Sequence, residues 1–117
     1  MDSETDRSST RPILLCENEF FTNDLAIGQI MQVLVNGVRV AVYNANGVYY
    51  ATQDSCPHAG WPLSDGGEFE ANHVTCALHG WCFDVTNGCV VRGIKALRLV
   101  TYNVNVDGNI GRVVLES

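Results

Sequence analysis

Four glycine-containing turn signals divide this 117-residue chain into short β-prone segments. They are Asn-Gly pairs at positions 36–37, 46–47 and 87–88, and an Asp-Gly pair at 107–108. Such a pair favours a type I′ turn, because both central residues of that turn have positive φ. The segments around the first two turns are rich in valine and tyrosine, which favour extended strands. The sequence therefore predicts a series of β-hairpins, with strands at positions 32–35, 38–43 and 48–52.

The C-terminal segment alternates between apolar and polar residues. One face would carry Val100, Tyr102, Val104 and Val106. A period of two predicts a strand with one face in a core and the other in water. Several short strands with frequent turns predict an all-β fold, an antiparallel sandwich or barrel. A single helical turn is the only helix that the sequence favours, at positions 17–25.

Length and charge set the broad class of the protein. Positions 1–11 contain no apolar residue after Met1, so we expect a disordered polar tail followed by a single domain at 12–117. The formal net charge of −6 argues against a nucleic-acid partner and against a polybasic membrane anchor. The sequence contains no run of 18 apolar residues and starts without an apolar signal segment. We therefore expect a cytoplasmic protein without a membrane partner.

Cysteine usage points to metal binding. The chain has five cysteines, and an odd number fits poorly with a disulfide framework. In a reducing compartment, spaced cysteines more often bind metal or act in catalysis. Positions 54–67 are rich in proline and glycine, and they read as a loop between hairpins, where functional residues tend to lie.

Two short motifs each combine a cysteine with a histidine, Cys56-x-His58 and Cys76-x-x-His79. A single Zn²⁺ accepts two cysteines and two histidines, so a zinc-stabilised binding module is one alternative. Structural zinc sites usually pair cysteine with cysteine and histidine with histidine, however, and one intervening residue is tight for a single tetrahedral ion. Two irons relax this constraint, because one can take both cysteines and the other both histidines, as in a Rieske [2Fe–2S] centre.

The segments CPHAGW at 56–61 and CALHGW at 76–81 resemble the two cluster-binding loops of Rieske proteins. The length and the all-β pattern resemble the small soluble Rieske ferredoxins, which are the electron-carrier components of bacterial multicomponent oxygenases that hydroxylate aromatic rings. The resemblance implies the Rieske fold, with a two-loop cluster-binding subdomain at about 54–91 and one [2Fe–2S] cluster.

The same resemblance implies the ligands of the cluster. By this comparison Cys56 and Cys76 bind the inner iron. His58 and His79 bind the outer iron through a ring nitrogen, near the surface.

The function implied by the resemblance is one-electron transfer, not catalysis. The protein would receive electrons from an NAD(P)H-dependent flavin reductase and pass them to a terminal oxygenase of aromatic hydrocarbon catabolism. No carboxylate pair, nucleophile–base pair or phosphate loop stands out as a catalytic centre. We expect a monomer, because a shuttle exposes its cluster to two partners in turn. An alternative is a Rieske-like small subunit of a larger redox enzyme, such as an assimilatory nitrite reductase.

This chain departs from the respiratory Rieske proteins at several positions, which disfavours a respiratory type. Those proteins join the two loops by a disulfide, but the matching positions here hold Trp61 and Leu78. They also carry a serine and a tyrosine where this chain has Trp81 and Phe83. Fewer hydroxyl donors to the sulfurs favour a potential near the low end of the roughly −150 to +300 mV Rieske range. The segment at 92–97 corresponds to a shielding loop that is proline-rich in many Rieske ferredoxins, yet it contains no proline.

Two tryptophans follow the loop glycines. We expect Trp61 to reach the surface and partners to dock transiently near His58, His79 and Trp61, since electron-transfer complexes have small interfaces. We expect Trp81 to pack inside with Phe83.

The remaining polar and sulfur-containing residues have ordinary interpretations beside functional ones. Four acids could steer a basic partner or be solvated loop charges: Asp54, Asp65, Glu68 and Glu70. His73 is expected to be a half-exposed strand residue and not a third redox histidine. Three cysteines outside the motifs are expected to be buried free thiols: Cys16, Cys82 and Cys89.

Overall fold

A computed structural model describes residues 15–115 of the chain. The predicted polar tail at 1–11 lies outside these residues. Within the described range the chain forms ten strands and one 3₁₀ turn at Thr22–Asp24. The strands are β1 (Glu19–Phe21), β2 (Ile30–Val35), β3 (Val38–Ala45), β4 (Val48–Gln53), β5 (Glu68–Glu70), β6 (His73–Thr75), β7 (Cys82–Asp84), β8 (Val90–Arg92), β9 (Thr101–Asp107) and β10 (Ile110–Val114). None of the helical segments in this range has the length and apolarity to cross a membrane.

The strands form two antiparallel sheets. Six strands lie in the order β1-β10-β9-β4-β3-β2, and four lie in the order β5-β6-β7-β8. The larger sheet curls into a nearly closed barrel. Just before β1 and just after β2, the two sheet edges meet where the Asn36 N–H donates to the Glu17 carboxylate at 2.7 Å. The predicted all-β antiparallel class is confirmed.

The first two predicted hairpin turns form as the sequence indicates. Asn36 and Gly37 both have positive φ, 50° and 81°, between β2 and β3. Asn46 and Gly47 have φ values of 59° and 97° between β3 and β4. Both pairs therefore adopt the left-handed conformations that a type I′ turn requires.

The other two turn signals form different loops. Asp107 is the last residue of β9 and pairs with Ile110, so the two-residue loop is shifted by one position from the predicted pair. Gly88 donates its N–H to the Asp84 carbonyl at 2.7 Å, which makes the β7–β8 connection longer than a two-residue hairpin. Glycine has positive φ in both turns, but the preceding residue does not.

The helical turn predicted at 17–25 is reduced to the 3₁₀ turn, because the residues before it form β1. Glu19 and Arg112 form an ion pair at 2.6 Å across the β1–β10 pairing. The ring of Phe20 is buried and occupies the space that a Cβ on Gly111 would need. Packing between strands that are distant in sequence outweighs the weak local helical tendency here.

The alternation predicted for β9 holds in its centre only. Tyr102 and Val104 are half-buried against the core, whereas Val100 and Val106 are 52% and 49% exposed. Val100 precedes the strand, and Val106 lies beyond the short segment in which β9 pairs with β4. The outer ends of the pattern therefore have no second layer to cover them.

Two hydrophobic cores share β3 as a common wall. The barrel core contains Phe20, Leu25, Val33, Val35, Val40, Val42, Ala51 and Val113. The second core lies beneath the small sheet and contains Ala41, Tyr43, Cys56, Leu63, Phe69, Val74, Cys76, Phe83, Val85, Val90 and Leu99. Successive β3 side chains enter alternate cores, as the pleat of a strand buried on both faces requires. Two of the motif cysteines thus belong to the second core.

A buried tyrosine in this core gives folding a pH dependence. The Tyr43 hydroxyl donates to Thr52 Oγ1 at 2.8 Å, and Thr52 donates in turn to the Gln53 carbonyl. Burial raises the pKa of Tyr43 above its usual value near 10. Below that pH the residue is protonated in both the folded and unfolded states. Above it, only the unfolded state loses the proton, so stability falls as pH rises.

We expect the free energy of unfolding to decrease by about 1.4 kcal/mol per pH unit above pH 10 through Tyr43 alone. Tyr43→Phe removes this contribution, so above pH 10 the free energy of unfolding falls less steeply with pH, by the same amount of about 1.4 kcal/mol per pH unit. At pH 8 the lost hydrogen bond lowers the free energy of unfolding by about 1 kcal/mol. Urea unfolding at several pH values between 8 and 11.5 measures both effects. Parallel curves for the two proteins would contradict the assignment.

Candidate metal centre

The two motif loops have the same backbone construction. The first loop, at 56–61, follows β4, and the second loop, at 76–81, joins β6 to β7. In each loop the cysteine carbonyl accepts a hydrogen bond from the glycine four residues later, at 2.7 and 3.1 Å. In each, the cysteine N–H donates to the carbonyl of the tryptophan five residues later, at 2.9 and 2.8 Å. Gly60 and Gly80 have φ values of 76° and 77°, which glycine adopts without strain.

The two motif cysteines lie at the base of the loops. Cys56 and Cys76 are 1% and 2% exposed, and both lie in the second core. Burial raises the pKa of the Cys56 thiol, and the neighbouring Cys76 adds to that rise. The backbone N–H groups of His58 and Ala59 act on the Cys56 thiol in the opposite direction and lower its pKa. These amides are suited to stabilise a thiolate once a metal binds it.

The two motif histidines lie together at the exposed end of the loops. The Nδ1 atoms of His58 and His79 are 3.2 Å apart, and the ring planes are inclined at 65°. An imidazole nitrogen binds a first-row metal ion at about 2.1 Å, so two nitrogens on one ion lie roughly 3.0–3.4 Å apart. The observed separation matches two ligands of a single ion.

The four donors are thus arranged as two pairs, with sulfur inside and nitrogen outside. Across residues 15–115, no three histidine, cysteine or acidic side chains group closely enough to hold one ion. A cluster with one sulfur-bound iron and one nitrogen-bound iron requires this paired arrangement, whereas a Cys₂His₂ zinc site requires all four donors around one point. The residues present fit a two-iron Rieske centre.

Comparison with known proteins agrees with this chemistry. Residues 18–103 match the family model described as Rieske [2Fe-2S] domain. The chain belongs to this Rieske family. As a member, it holds a Rieske-type [2Fe–2S] cluster.

Several relatives of this Rieske protein are ferredoxins. It is 36% identical over 81 residues to the biphenyl dioxygenase ferredoxin subunit of Pseudomonas sp. (strain KKS102), covering 69% of this chain and 74% of the relative. It superposes on the ferredoxin of carbazole 1,9a-dioxygenase from Nocardioides aromaticivorans IC177 with a TM-score of 0.78 and 29% identity, over 85% of this chain and 96% of that one.

A further solved structure with this likeness is a complex of reduced oxygenase and oxidized ferredoxin in carbazole 1,9a-dioxygenase. The matched chain gives a TM-score of 0.74 at 28% identity, over 80% of this chain and 96% of that one. The Rieske protein is therefore an electron carrier and not a catalytic subunit, and the nitrite reductase alternative is not favoured.

The first loop is closed by a buried carboxylate. Asp54 is 1% exposed, and its two oxygens accept hydrogen bonds from the Ser64 N–H at 2.7 Å, the Ser64 hydroxyl at 2.6 Å and the Gln32 side chain at 2.7 Å. The prediction that Asp54 acts as a surface charge is wrong, because these donors hold it inside. The other three predicted surface acids are exposed: Asp65, Glu68 and Glu70.

The two loop tryptophans occupy different environments. Trp61 is 37% exposed, with its indole N–H donating to the Asp65 carbonyl at 3.0 Å. Trp81 is half-buried against the second core, which also contains Phe83, as predicted. The Trp81 ring also stacks on His58, a contact that the motif spacing does not predict.

Residues around the loops complete the surroundings of the site. Leu78, which precedes His79 in the second loop, is 44% exposed. The segment at 92–97 lies against the second loop, where the Arg92 guanidinium donates to the Gly80 carbonyl at 3.3 Å. This contact agrees with the expected shielding position.

The other predicted residues lie away from the paired donors. His73 is half-buried on β6, opposite Asp84 in the adjacent strand. Cys82 is buried and Cys89 half-buried, and both are free thiols. Cys16 is exposed and not buried as predicted, because it lies in the irregular segment before β1.

Proposed function

We propose that Cys56 and Cys76 hold the inner iron of the Rieske cluster and that His58 and His79 hold the outer iron. The observation that carries this proposal is the 3.2 Å separation of the two Nδ1 atoms, together with the burial of both motif thiols in one core. The bound cluster supplies a centre that accepts and releases one electron. The proposed binding region spans 54–91, within one domain at 12–117.

The cysteine end and the histidine end of the site have different roles, because one is buried and the other is exposed. Burial of the cysteines protects the sulfur ligands from water and oxidants. Exposure of both histidines leaves a short path for an electron between this end and a docked protein. We propose this end, with His58, His79, Trp61 and Leu78 at its surface, as the docking tip.

Two partners use the docking tip in turn. A flavin reductase oxidises NAD(P)H and passes single electrons to the protein, and a terminal oxygenase of an aromatic-ring-hydroxylating system takes them. Support for the second partner comes from the similarity to a ferredoxin chain solved with its oxygenase. Sequential use of one surface suits a monomer. Three free thiols outside the proposed ligand set suit the reducing cytoplasm as the compartment.

The docking proposal predicts that a charge at the tip slows electron transfer. Leu78→Asp places a carboxylate on the docking tip. Desolvating this charge opposes docking by about 1.4 kcal/mol or more. We therefore expect the rate constant for reduction of a terminal oxygenase to fall about tenfold. Stopped-flow mixing of the pre-reduced protein with the oxidised oxygenase of biphenyl dioxygenase measures this rate.

Val48→Asp is the matched control, because Val48 is 55% exposed at the opposite end of β4, roughly 20 Å of strand from the first loop. We expect the control to transfer electrons at the wild-type rate. Equal slowing by both substitutions would place docking elsewhere. Failure of the reduced wild-type protein to reduce the oxygenases of the biphenyl, naphthalene and p-cumate systems would overturn the oxygenase partner.

A further inference from the structure

Trp81 in the second loop contacts the proposed ligand of the first loop. The indole of Trp81 and the imidazole of His58 stack with ring centroids 4.2 Å apart and planes only 6° from parallel. Such flat contact fixes the plane of an otherwise exposed imidazole, whose χ2 rotation is intrinsically soft. The loop backbone holds Trp81 in turn, since its carbonyl accepts the Cys76 N–H at 2.8 Å.

The segment at 92–97 also packs against the Trp81 indole. A Cβ on Gly93 would lie within 2.9 Å of three carbons of the Trp81 benzene ring. Gly93 also has a φ of 135°, which side chains rarely adopt, so glycine is required there on two grounds. The neighbouring Arg92 ties this segment to the second loop through the Gly80 carbonyl. The backbone at Gly93 and the His58 imidazole therefore both pack against the Trp81 indole.

We propose that Trp81 is a positioning residue that sets the ring plane of His58 and, supported by Gly93, keeps water from that side of the metal centre. This inference rests on the proposed ligation by His58. An apolar cover disfavours the reduced centre, which carries one more negative charge than the oxidised centre. Removing the indole admits water, stabilises the reduced form and raises the midpoint potential.

The test compares substitutions at the two loop tryptophans in the iron-loaded protein. We expect Trp81→Ala to raise the midpoint potential in an EPR-monitored titration and to change the nitrogen couplings that pulsed EPR detects from the histidines. Trp81→Phe keeps an aromatic face and is expected to remain close to wild type in both measurements. Trp61→Ala is the matched control. Trp61 follows the glycine of the other loop in the same way, but its indole N–H donates to the Asp65 carbonyl.

A second variant tests the same stack without removing the indole. Gly93→Ala displaces Trp81 and is expected to shift the potential in the same direction as Trp81→Ala. Gly108→Ala is its control, because Gly108 also has positive φ but open space around its Cβ position. If Trp81→Ala loses its iron, the comparison of Gly93→Ala with Gly108→Ala decides. Wild-type potential and nitrogen couplings in iron-loaded Trp81→Ala and Gly93→Ala would overturn the positioning role.

Failure of the ligand proposal gives a different result. If the wild-type protein lacks nitrogen couplings from two histidines, ligation by His58 is wrong and the inference falls with it. If the wild type has both couplings and neither Trp81→Ala nor Gly93→Ala alters them, only the positioning role is wrong.

Discussion

Cys76→Ala is expected to abolish iron binding and with it the visible absorption of the protein. Cys76 is one of two buried thiols at the base of the paired loops, and a [2Fe–2S] cluster cannot close with one thiolate missing from its sulfur-bound iron. We expect the iron content to fall from two atoms per chain to a small fraction of that value. Iron analysis together with the absorption spectrum of the purified variant measures the change.

The matched control for that loss is Cys82→Ala. Cys82 is also a buried free thiol in the same small sheet, but it lies on β7 outside both loops. The control is expected to keep its full iron content. A cluster-loaded Cys76→Ala protein would contradict the ligand assignment, and so would equal loss of iron from both variants.

Asp54→Ala is expected to lower stability more than any other single change at an acidic residue described here. The substitution removes the acceptor for three hydrogen bonds and leaves the Ser64 and Gln32 donors without their partner. Hydrogen bonds to a charged group contribute about 1.5–3 kcal/mol each, with losses that overlap, so we expect a decrease of about 3 kcal/mol. For a domain of this size that lowers Tm by roughly 12 °C.

Asp65→Ala provides the comparison, since Asp65 is an exposed acid in the same stretch of chain. We expect it to change stability by less than about 0.5 kcal/mol. Thermal unfolding followed by circular dichroism measures both variants. If the two melt together, the carboxylate of Asp54 does not close the first loop as the structure indicates.

Local features of the sequence predicted the features of the structure that depend on local geometry. Two Asn-Gly turns need positive φ at both residues, and the strands beside them follow directly. Each motif mixes a cysteine with a histidine, and the single residue between Cys56 and His58 is tight for one tetrahedral ion, so the sequence indicated a paired ligand set. In the structure the two Nδ1 atoms lie 3.2 Å apart, and both motif thiols are buried in one core.

Features that depend on distant residues escaped prediction. Asp54 appeared to be a solvated loop acid, because only folding brings Gln32, which lies 22 residues away in sequence, to its carboxylate. The stack of Trp81 on His58 joins two loops whose relative placement no spacing rule defines. The exposed ends of β9 follow from how few residues of β4 it pairs with, which alternation alone does not encode.

An EPR-monitored redox titration of the anaerobically purified protein tests the central claim most directly. We expect a rhombic signal of low average g that appears only near or below about −100 mV, at the low end of the Rieske range. A low potential is expected because Trp81 and Phe83 provide no hydroxyl donors to the cluster sulfurs. It also suits a carrier that a flavin reductase reduces. A midpoint well above zero would contradict the low-potential assignment, and zinc without any signal would contradict the electron carrier itself.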